Sequence, residues 1–407
     1  MRLKTFSASF FCLLALLLAS AAASAATEKI LYAFKGGTDG NTPEAGLVFD
    51  GAGNLYGTTY FGGAHSDGAI FQLTPGTGGK WTESVIYSFG ATGTDGLNPI
   101  SGLVIDSSGV LYGTTAGGGT KGHGTIYKLA KAGGVWKVAI IHNFSGLSGD
   151  GAKPQGGVIF GPDGNLYGAT YEGGGSEIGV AYELALSSGK WVYKQLHSFS
   201  SNGIDGQFPM GNVAFDANGN LYGTTSLGGS KSQGVVYELI PGSNGKWTEK
   251  LIKTFDPSNG LDGGKPEAGV AIDTAGNLYG TTSGGGKNKF YGVVYEMVLG
   301  TNGKWTQAIP HTFTGGPDGS EPDTPVILDS SGNIYGTTFV GGTDGVAFKL
   351  TKGSNGKWTE TPLHNFKSGP DGSHPLSGFN TDAQGNFYGT TSQGGAAGVG
   401  VVYEITP

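Results

Sequence analysis

Leu55-Tyr56-Gly57-Thr58-Thr59 is the stretch that decides the fold, because it returns six more times along the chain. Its tyrosine recurs at Tyr112, Tyr167, Tyr222, Tyr279, Tyr335 and Tyr388, at spacings of 56, 55, 55, 57, 56 and 53 residues. Departures are slight: Ala169 replaces one threonine, and Ile334 and Phe387 replace the leucine. Self-similarity at a fixed period is the signature of a repeat architecture and outranks any local reading.

Working outward, each copy reads as four short strands. An apolar strand such as Gly46-Leu47-Val48-Phe49 comes first. An Asp-x-x-Gly-Asn turn follows, for example Asp216 to Asn220, where Asp and Asn suit turn positions and Gly accepts a positive φ. The tyrosine strand is next, and a glycine-rich loop leads from it to a third strand such as Gly234 to Leu239. A Gly-Lys-Trp turn opens the fourth strand, as in Trp81 to Phe89, and a Gly-x-Asp-Gly-x-x-Pro connection enters the next copy. No segment carries a helical period of apolar residues. Seven four-strand units predict an all-β, seven-bladed β-propeller with four antiparallel strands per blade. A β-helix would repeat at a much shorter period.

The chain ends sharpen this reading. The seventh copy stops after its third strand, Val401 to Ile405. The missing fourth strand is found at the other end, where Thr27 to Phe34 aligns without gaps onto Thr82 to Phe89. The N-terminal strand is therefore expected to pair into the last blade and close the ring, removing an exposed edge. Ahead of it, Arg2 and Lys4, the apolar run Phe10 to Leu18 and Ala23-Ser24-Ala25 form a signal-peptide pattern. Residues 1–25 are expected to be removed, leaving residues 26–407 as one propeller domain to which residues 26–35 give the outer strand of the last blade. Cys12 lies inside the apolar run, so the mature chain has no cysteine, disulfide or thiolate ligand. No later stretch is long enough to span a bilayer. Release outside the cell or into the periplasm, as a monomer without a membrane anchor, is expected.

The chain carries 80 glycines, placed periodically between aromatic and β-branched residues, so this is a folded chain with many tight turns. Of 24 basic residues, Arg2 and Lys4 leave with the leader, and the remaining 22 face 31 acidic ones. Without a basic cluster, binding to nucleic acid through phosphates is not expected.

The repeated Leu-Tyr-Gly-Thr-Thr, the Gly-Gly after it and the Gly-Val-Val-Tyr-Glu-Leu strand resemble the GloVer repeat, the unit of the "choice-of-anchor tandem repeat" proteins of environmental bacteria. The resemblance covers residues 27–407. It implies repeat architecture and export, and brings no catalytic residues with it. Such proteins typically carry a C-terminal anchor, and none is read in this sequence.

Candidate chemistry was weighed against the demands of the repeat. The connecting-loop aspartates Asp39, Asp95, Asp150, Asp205, Asp262, Asp318 and Asp371 could ring an axis and hold cations, but Asp-Gly also opens a turn whose exit the proline stiffens. The turn reading is preferred. The tryptophans Trp81, Trp136, Trp191, Trp247, Trp305 and Trp358 could stack sugars, and packing onto the outer part of each blade is preferred. His142, His197, His311 and His364 share a fourth-strand slot with Tyr32, Tyr87 and Lys253. A slot that alternates so reads as a half-exposed surface position rather than a ligand set, and neither metal nor cofactor is expected. Gly117 to Gly122 fits G-x-G-x-x-G but has no helix behind it, and no nucleophile elbow or catalytic triad is present.

Residues that break the repeat gather in the loop between second and third strands, expected on the same face as the inter-blade connections. They are Tyr60, Phe61, His65, Lys121, His123, Tyr171, Glu172, Lys231, Phe290, Tyr291, Phe339 and Asp344. Aromatic rings among mixed charges suit a glycan or a protein ligand. A non-catalytic binding or scaffold propeller is the leading expectation. The alternative is an extracellular carbohydrate-active enzyme, a polysaccharide lyase or hydrolase. The leader generates one expectation of its own: N-terminal sequencing of the exported protein should begin at Ala26, and a retained Met1 would overturn it.

Overall fold

The computed structural model describes residues 26–287 and 289–407, so the expected leader lies outside the described residues. Seven four-stranded antiparallel sheets follow one another as the blades of a propeller. In the first blade Val48–Phe49, Leu55–Thr59, Ala69–Pro75 and Trp81–Ser88 pair in chain order from the axis outward. In the seventh, Asn380–Thr381, Phe387–Thr391 and Val401–Thr406 are completed by Thr27–Ala33, paired from Thr27 opposite Thr406 to Ala33 opposite Val401. The ring closes as the chain ends predict. Helical structure among the described residues is confined to three 3-10 turns, at Gly37–Asp39, Thr77–Gly79 and Pro257–Asn259.

The repeated residues account for the blade. In the first hairpin Asp50 Oδ1 accepts from the N–H groups of Ala52 and Asn54, while Oδ2 accepts from the Asn54 amide and, at 2.9 Å, from the Tyr56 hydroxyl. The tyrosine thus ties its strand back to its own turn. Gly57 follows because a Cβ there would strike the Phe71 ring of the third strand; at Gly113 it would strike the Tyr127 hydroxyl. The first threonine reaches across to the next blade: Thr58 Oγ1 donates to Ser101 O, Thr224 to Ala268 O and Thr281 to Thr324 O. Thr390 makes the same bond to Ala45 O at 3.2 Å, across the closure. The second threonine turns inward, Thr59 donating to Phe61 O, and fixes where the loop departs.

The core lies between blades. One cluster combines Tyr222 and Val236 of the fourth blade with Leu278, Tyr295 and Met297 of the fifth. The tryptophans belong to this packing, but not on their own blade alone. Trp136 meets Tyr56 edge-on at 6.0 Å and Trp191 meets Tyr112 at 6.1 Å, each ring resting on the tyrosine of the preceding blade. The indole is long enough to bridge the interface, so one repeated residue glues two units.

Deleting Thr27–Phe34 should destabilise the protein by several kcal/mol and promote aggregation, since a buried strand is lost and an edge exposed. Thr390→Val should cost only about 1–2 kcal/mol, one hydrogen bond with its acceptor left unpaired. Thermal melts of the two variants check the ordering; an unchanged melt and monomeric behaviour after the deletion would contradict closure.

Candidate functional site

The loops after the tyrosine strands lie on the face of the inter-blade connections, as expected. Gly96–Leu97 of one connection pairs with Gly117–Gly118 of its loop, and Gly206–Gln207 pairs with Leu227–Gly228. The glycine of the connection's Asp-Gly is required by this layer. A Cβ on Gly40 would lie 2.8 Å from the Thr59 side chain.

Each connection then does something its sequence does not advertise. The residue before the proline adopts a left-handed backbone in all seven blades: Thr42, Asn98, Lys153, Phe208, Lys265, Glu321 and His374 have φ between 51° and 59°. Such a conformation costs a residue bearing a Cβ about 1–2 kcal/mol. Two hydrogen bonds hold it. Lys265 N–H donates to Gln233 O of the preceding blade's loop at 2.8 Å, and Lys265 O accepts from Ser283 N–H of its own blade at 3.1 Å. Glu321 repeats the pattern with Tyr291 O and Phe339 N–H, at 3.1 and 2.9 Å.

The residue after the proline reaches the axis. Glu44, Ile100, Gln155, Met210, Glu267, Asp323 and Leu376, one from each blade, line a central cavity of about 460 Å³. A second cavity of about 450 Å³ adjoins it over the fifth and sixth blades and is lined by Lys265, Ser283, Lys289, Phe290 and Glu321. The two share Glu267 and Asp323. Seven repeated prolines therefore carry two rings of unlike side chains. Neither ring was singled out in the sequence, although the signal was there: an invariant proline flanked on both sides by positions that differ in nearly every copy.

Burial shapes the electrostatics. Removal from water pushes the Glu44 carboxyl up to about 7. Glu267 is raised by burial, with the nearby charge of Lys265 opposing. Asp323 is raised well above its ordinary value by burial, then by the charges of Glu267 and Glu321. Its Oδ1 is closed off from solvent and has no hydrogen-bond partner among the described residues. The cavity wall therefore holds carboxylic acids that keep their protons more readily than surface ones.

Of the residues expected to bind ligand, Phe290 lines the second cavity and is 74% exposed. Tyr291 turns away from it and packs beside Gly315. The others are distributed around the rim, where many engage a neighbour. Tyr60 meets Phe61 edge-on at 4.5 Å, Tyr171 lies 4.9 Å from Phe208, and Phe339 lies 4.9 Å from His374. Glu172 pairs with Lys153 at 2.9 Å and Lys231 with Asp256 at 3.2 Å. Asp344 accepts from the Ser368 N–H and hydroxyl, which hold its carboxyl below the usual range. His65 and Lys121 are exposed, and His123 is half-buried against Gly146.

The connecting-loop aspartates do not face the axis cavity. Each meets the fourth-strand slot: Tyr87 donates to Asp95 at 2.8 Å, Lys253 pairs with Asp262 at 2.6 Å and His142 with Asp150 at 3.0 Å. The slot is half-buried and occupied by whichever side chain can donate to that carboxylate, which explains why His, Tyr and Lys alternate there.

A pH dependence follows from the channel acids. Their folded-state pKa values lie above the unfolded ones of roughly 4. The stability they contribute is fully present below pH 4 and is lost as pH rises through about 7 for Glu44. The melting temperature should therefore fall between pH 5 and pH 8, and Glu44→Gln with Asp323→Asn should flatten that fall. Parallel slopes for variant and parent would contradict the assignment.

Comparison with known proteins places the fold and not the activity. No curated protein matches. Among solved structures, an ancestral GH74 enzyme is 14% identical with a TM-score of 0.53, over 90% of this chain and 51% of that one. A putative 6-phosphogluconolactonase from Bacteroides uniformis is 13% identical with a TM-score of 0.48, over 79% and 87%. A putative oxidoreductase (glucose dehydrogenase) from Thermus thermophilus is 15% identical with a TM-score of 0.43, over 94% and 100%. At these identities the likeness is one of fold alone. The family model of the Gloeobacter/Verrucomicrobia repeat, in contrast, matches residues 19–237, 106–307 and 212–407, and the chain belongs to that family.

Proposed function

We propose that this chain is an exported, non-catalytic binding propeller that seats a glycan at the channel mouth over the fifth and sixth blades. The observation that carries the reading is the meeting of two cavities at Glu267 and Asp323. Sugar hydroxyls need donors and acceptors at close quarters, and Lys265, Ser283, Glu321 and the two shared acids supply both. The apolar face of a sugar ring needs an aromatic surface, and Phe290 offers an exposed one at the rim. Export rests on the leader pattern of residues 1–25.

One observation favours an enzyme as the second reading. Glu267 and Asp323 share a cavity with pKa values held upward, and paired carboxyl groups in unlike environments are the means of acid–base cleavage of glycosidic bonds. Binding is preferred because burial raises both acids together, whereas acid–base cleavage needs one carboxyl protonated and its partner ionised.

A glycan array probed with the purified protein tests the reading. Phe290→Ala with Lys265→Ala should weaken binding of any hit by about thirtyfold or more, corresponding to about 2 kcal/mol, with an unchanged melting temperature. Trp247→Ala should instead lower the melting temperature and spare affinity. Loss of binding in Trp247→Ala alone would move the site to the blade interfaces. Turnover of a bound oligosaccharide that Asp323→Asn abolishes would establish the enzyme reading in place of binding.

A further inference from the structure

The outer rim holds a second chemistry, unrelated to the channel mouth. At several junctions three side chains converge: the slot residue of one blade, the aspartate of the connection, and a residue near the start of the next blade's outer strand. One junction shows how the charges balance. Lys253 Nζ lies 2.6 Å from Asp262 Oδ2, and Gln307 Nε2 donates to Asp262 Oδ1 at 2.8 Å. A fixed cation and a neutral amide there serve one carboxylate.

Three other junctions replace these partners with a histidine and a glutamate; at His311, Asp318 and Glu360 the three ligand atoms are not all gathered, and at two they are. At one, His197 stands for the lysine and Glu249 for the glutamine, around Asp205. At the other, His364 and Glu28 flank Asp371. Each then has two carboxylates against one imidazole; burial beside the aspartate raises Glu249 and Glu28 to about 7, and once both carboxylates are ionised negative charge exceeds positive. Asp205 is buried, at 5% exposure, and the other five groups are half-buried, Glu249 at 17%. Glu249 Oε1 and Glu28 Oε1 are closed off from solvent and accept no hydrogen bond among the described residues. With both carboxylates ionised, each of these junctions lacks the cation that the lysine one has.

The spacing suits an ion. His197 Nε2 is 3.3 Å from Asp205 Oδ2 and 3.7 Å from Glu249 Oε1. His364 Nε2 is 3.1 Å from Asp371 Oδ1, and in both junctions all three ligand atoms lie within 4.8 Å of one another. A tetrahedral ion with bonds of about 2.0–2.1 Å sets its ligands roughly 3.3 Å apart. Asp205 is already oriented by donors from Ser200 N–H, the Ser200 hydroxyl and Gly206 N–H, at 2.9, 3.0 and 2.7 Å. Such outer hydrogen bonds fix a ligand's position ahead of binding. An imidazole with two carboxylates suits a zinc-class ion better than calcium or magnesium, which prefer oxygen ligands alone.

We propose that these two junctions are zinc-class divalent metal sites, each formed by one His, one Asp and one Glu from neighbouring blades. The Glu28 site has a structural consequence, because Glu28 belongs to the strand that closes the ring. An ion there clamps that strand to the sixth blade, and closure becomes metal-assisted.

Calorimetric titration of the chelator-stripped protein with zinc chloride tests this. About two ions per chain are expected, with micromolar or tighter affinity, and neither calcium nor magnesium should bind at these junctions. Glu249→Gln and Glu28→Gln should each remove one ion, and only Glu28→Gln should abolish the gain in thermal stability of the closing strand. Both variants should fold, since Gln307 occupies the equivalent place in the fifth blade. No binding by the parent protein would overturn the proposal. So would undiminished binding in the double variant, which would assign the ions to exposed histidines such as His65.

Discussion

The hydroxyl of the first threonine in each Gly-Thr-Thr donates to a backbone carbonyl of the following blade, and the rest of the ring hangs on that bond. It is buried, so breaking it would strand a carbonyl where water cannot reach. It also joins the second strand of one blade to the entrance of the next blade's inner strand, which sets the distance between inner strands and hence the bore of the channel. At the third blade Ala169 replaces the threonine, and the link is remade from the other side: Asn212 Oδ1 of the fourth blade accepts from Gly157 N–H at 2.6 Å. The constraint survives the loss of the residue that usually meets it. Threonine can be replaced there only where a neighbour supplies another polar atom.

Fixing the inner strands also decides where variation is tolerated. Gly211 and Gly269 approach so closely that a Cβ on either would overlap the other blade's backbone. Side chains are excluded at those two points, and the residue directly after each proline keeps room for one against the cavity. The pre-proline residue is held left-handed by two backbone hydrogen bonds, and those bonds are indifferent to the side chain. Thr42, Phe208, Lys265 and Glu321 can therefore occupy the same strained place. A rigid frame with strained, unlike residues at its rim is an economical way to place chemistry on a repeated scaffold.

The frame was legible because each of its features recurs. Period, turn chemistry and the displaced outer strand all follow from comparing one copy with the next, as the pairing of Thr27–Ala33 with Val401–Thr406 bears out. The tryptophans were legible as packing residues, but not their partners, since the tyrosine under each ring belongs to the previous unit. That contact depends on how blades stack, which no single copy contains. The histidine slot is half-exposed, as its alternation implies, but one strand alone shows neither its aspartate, which lies on the connection, nor its third partner on the next blade.

The candidate site is harder to read because the loop that varies most in length and composition forms only part of it. In that loop Tyr171, Glu172, Lys231 and Asp344 are engaged with neighbours along the rim. Variation there records pairwise compensation between a loop and the connection beside it. Variation at Glu44 and Asp323 answers no such partner, since these positions face a cavity. Burial of an acid against a cavity raises its pKa without stabilising the fold at neutral pH, and a fold optimised only for stability would place an apolar residue there, as Ile100, Met210 and Leu376 do in other blades. Three acids kept where the same frame accepts isoleucine, methionine and leucine are the point at which structure alone stops explaining the sequence, and the point from which function has to be argued.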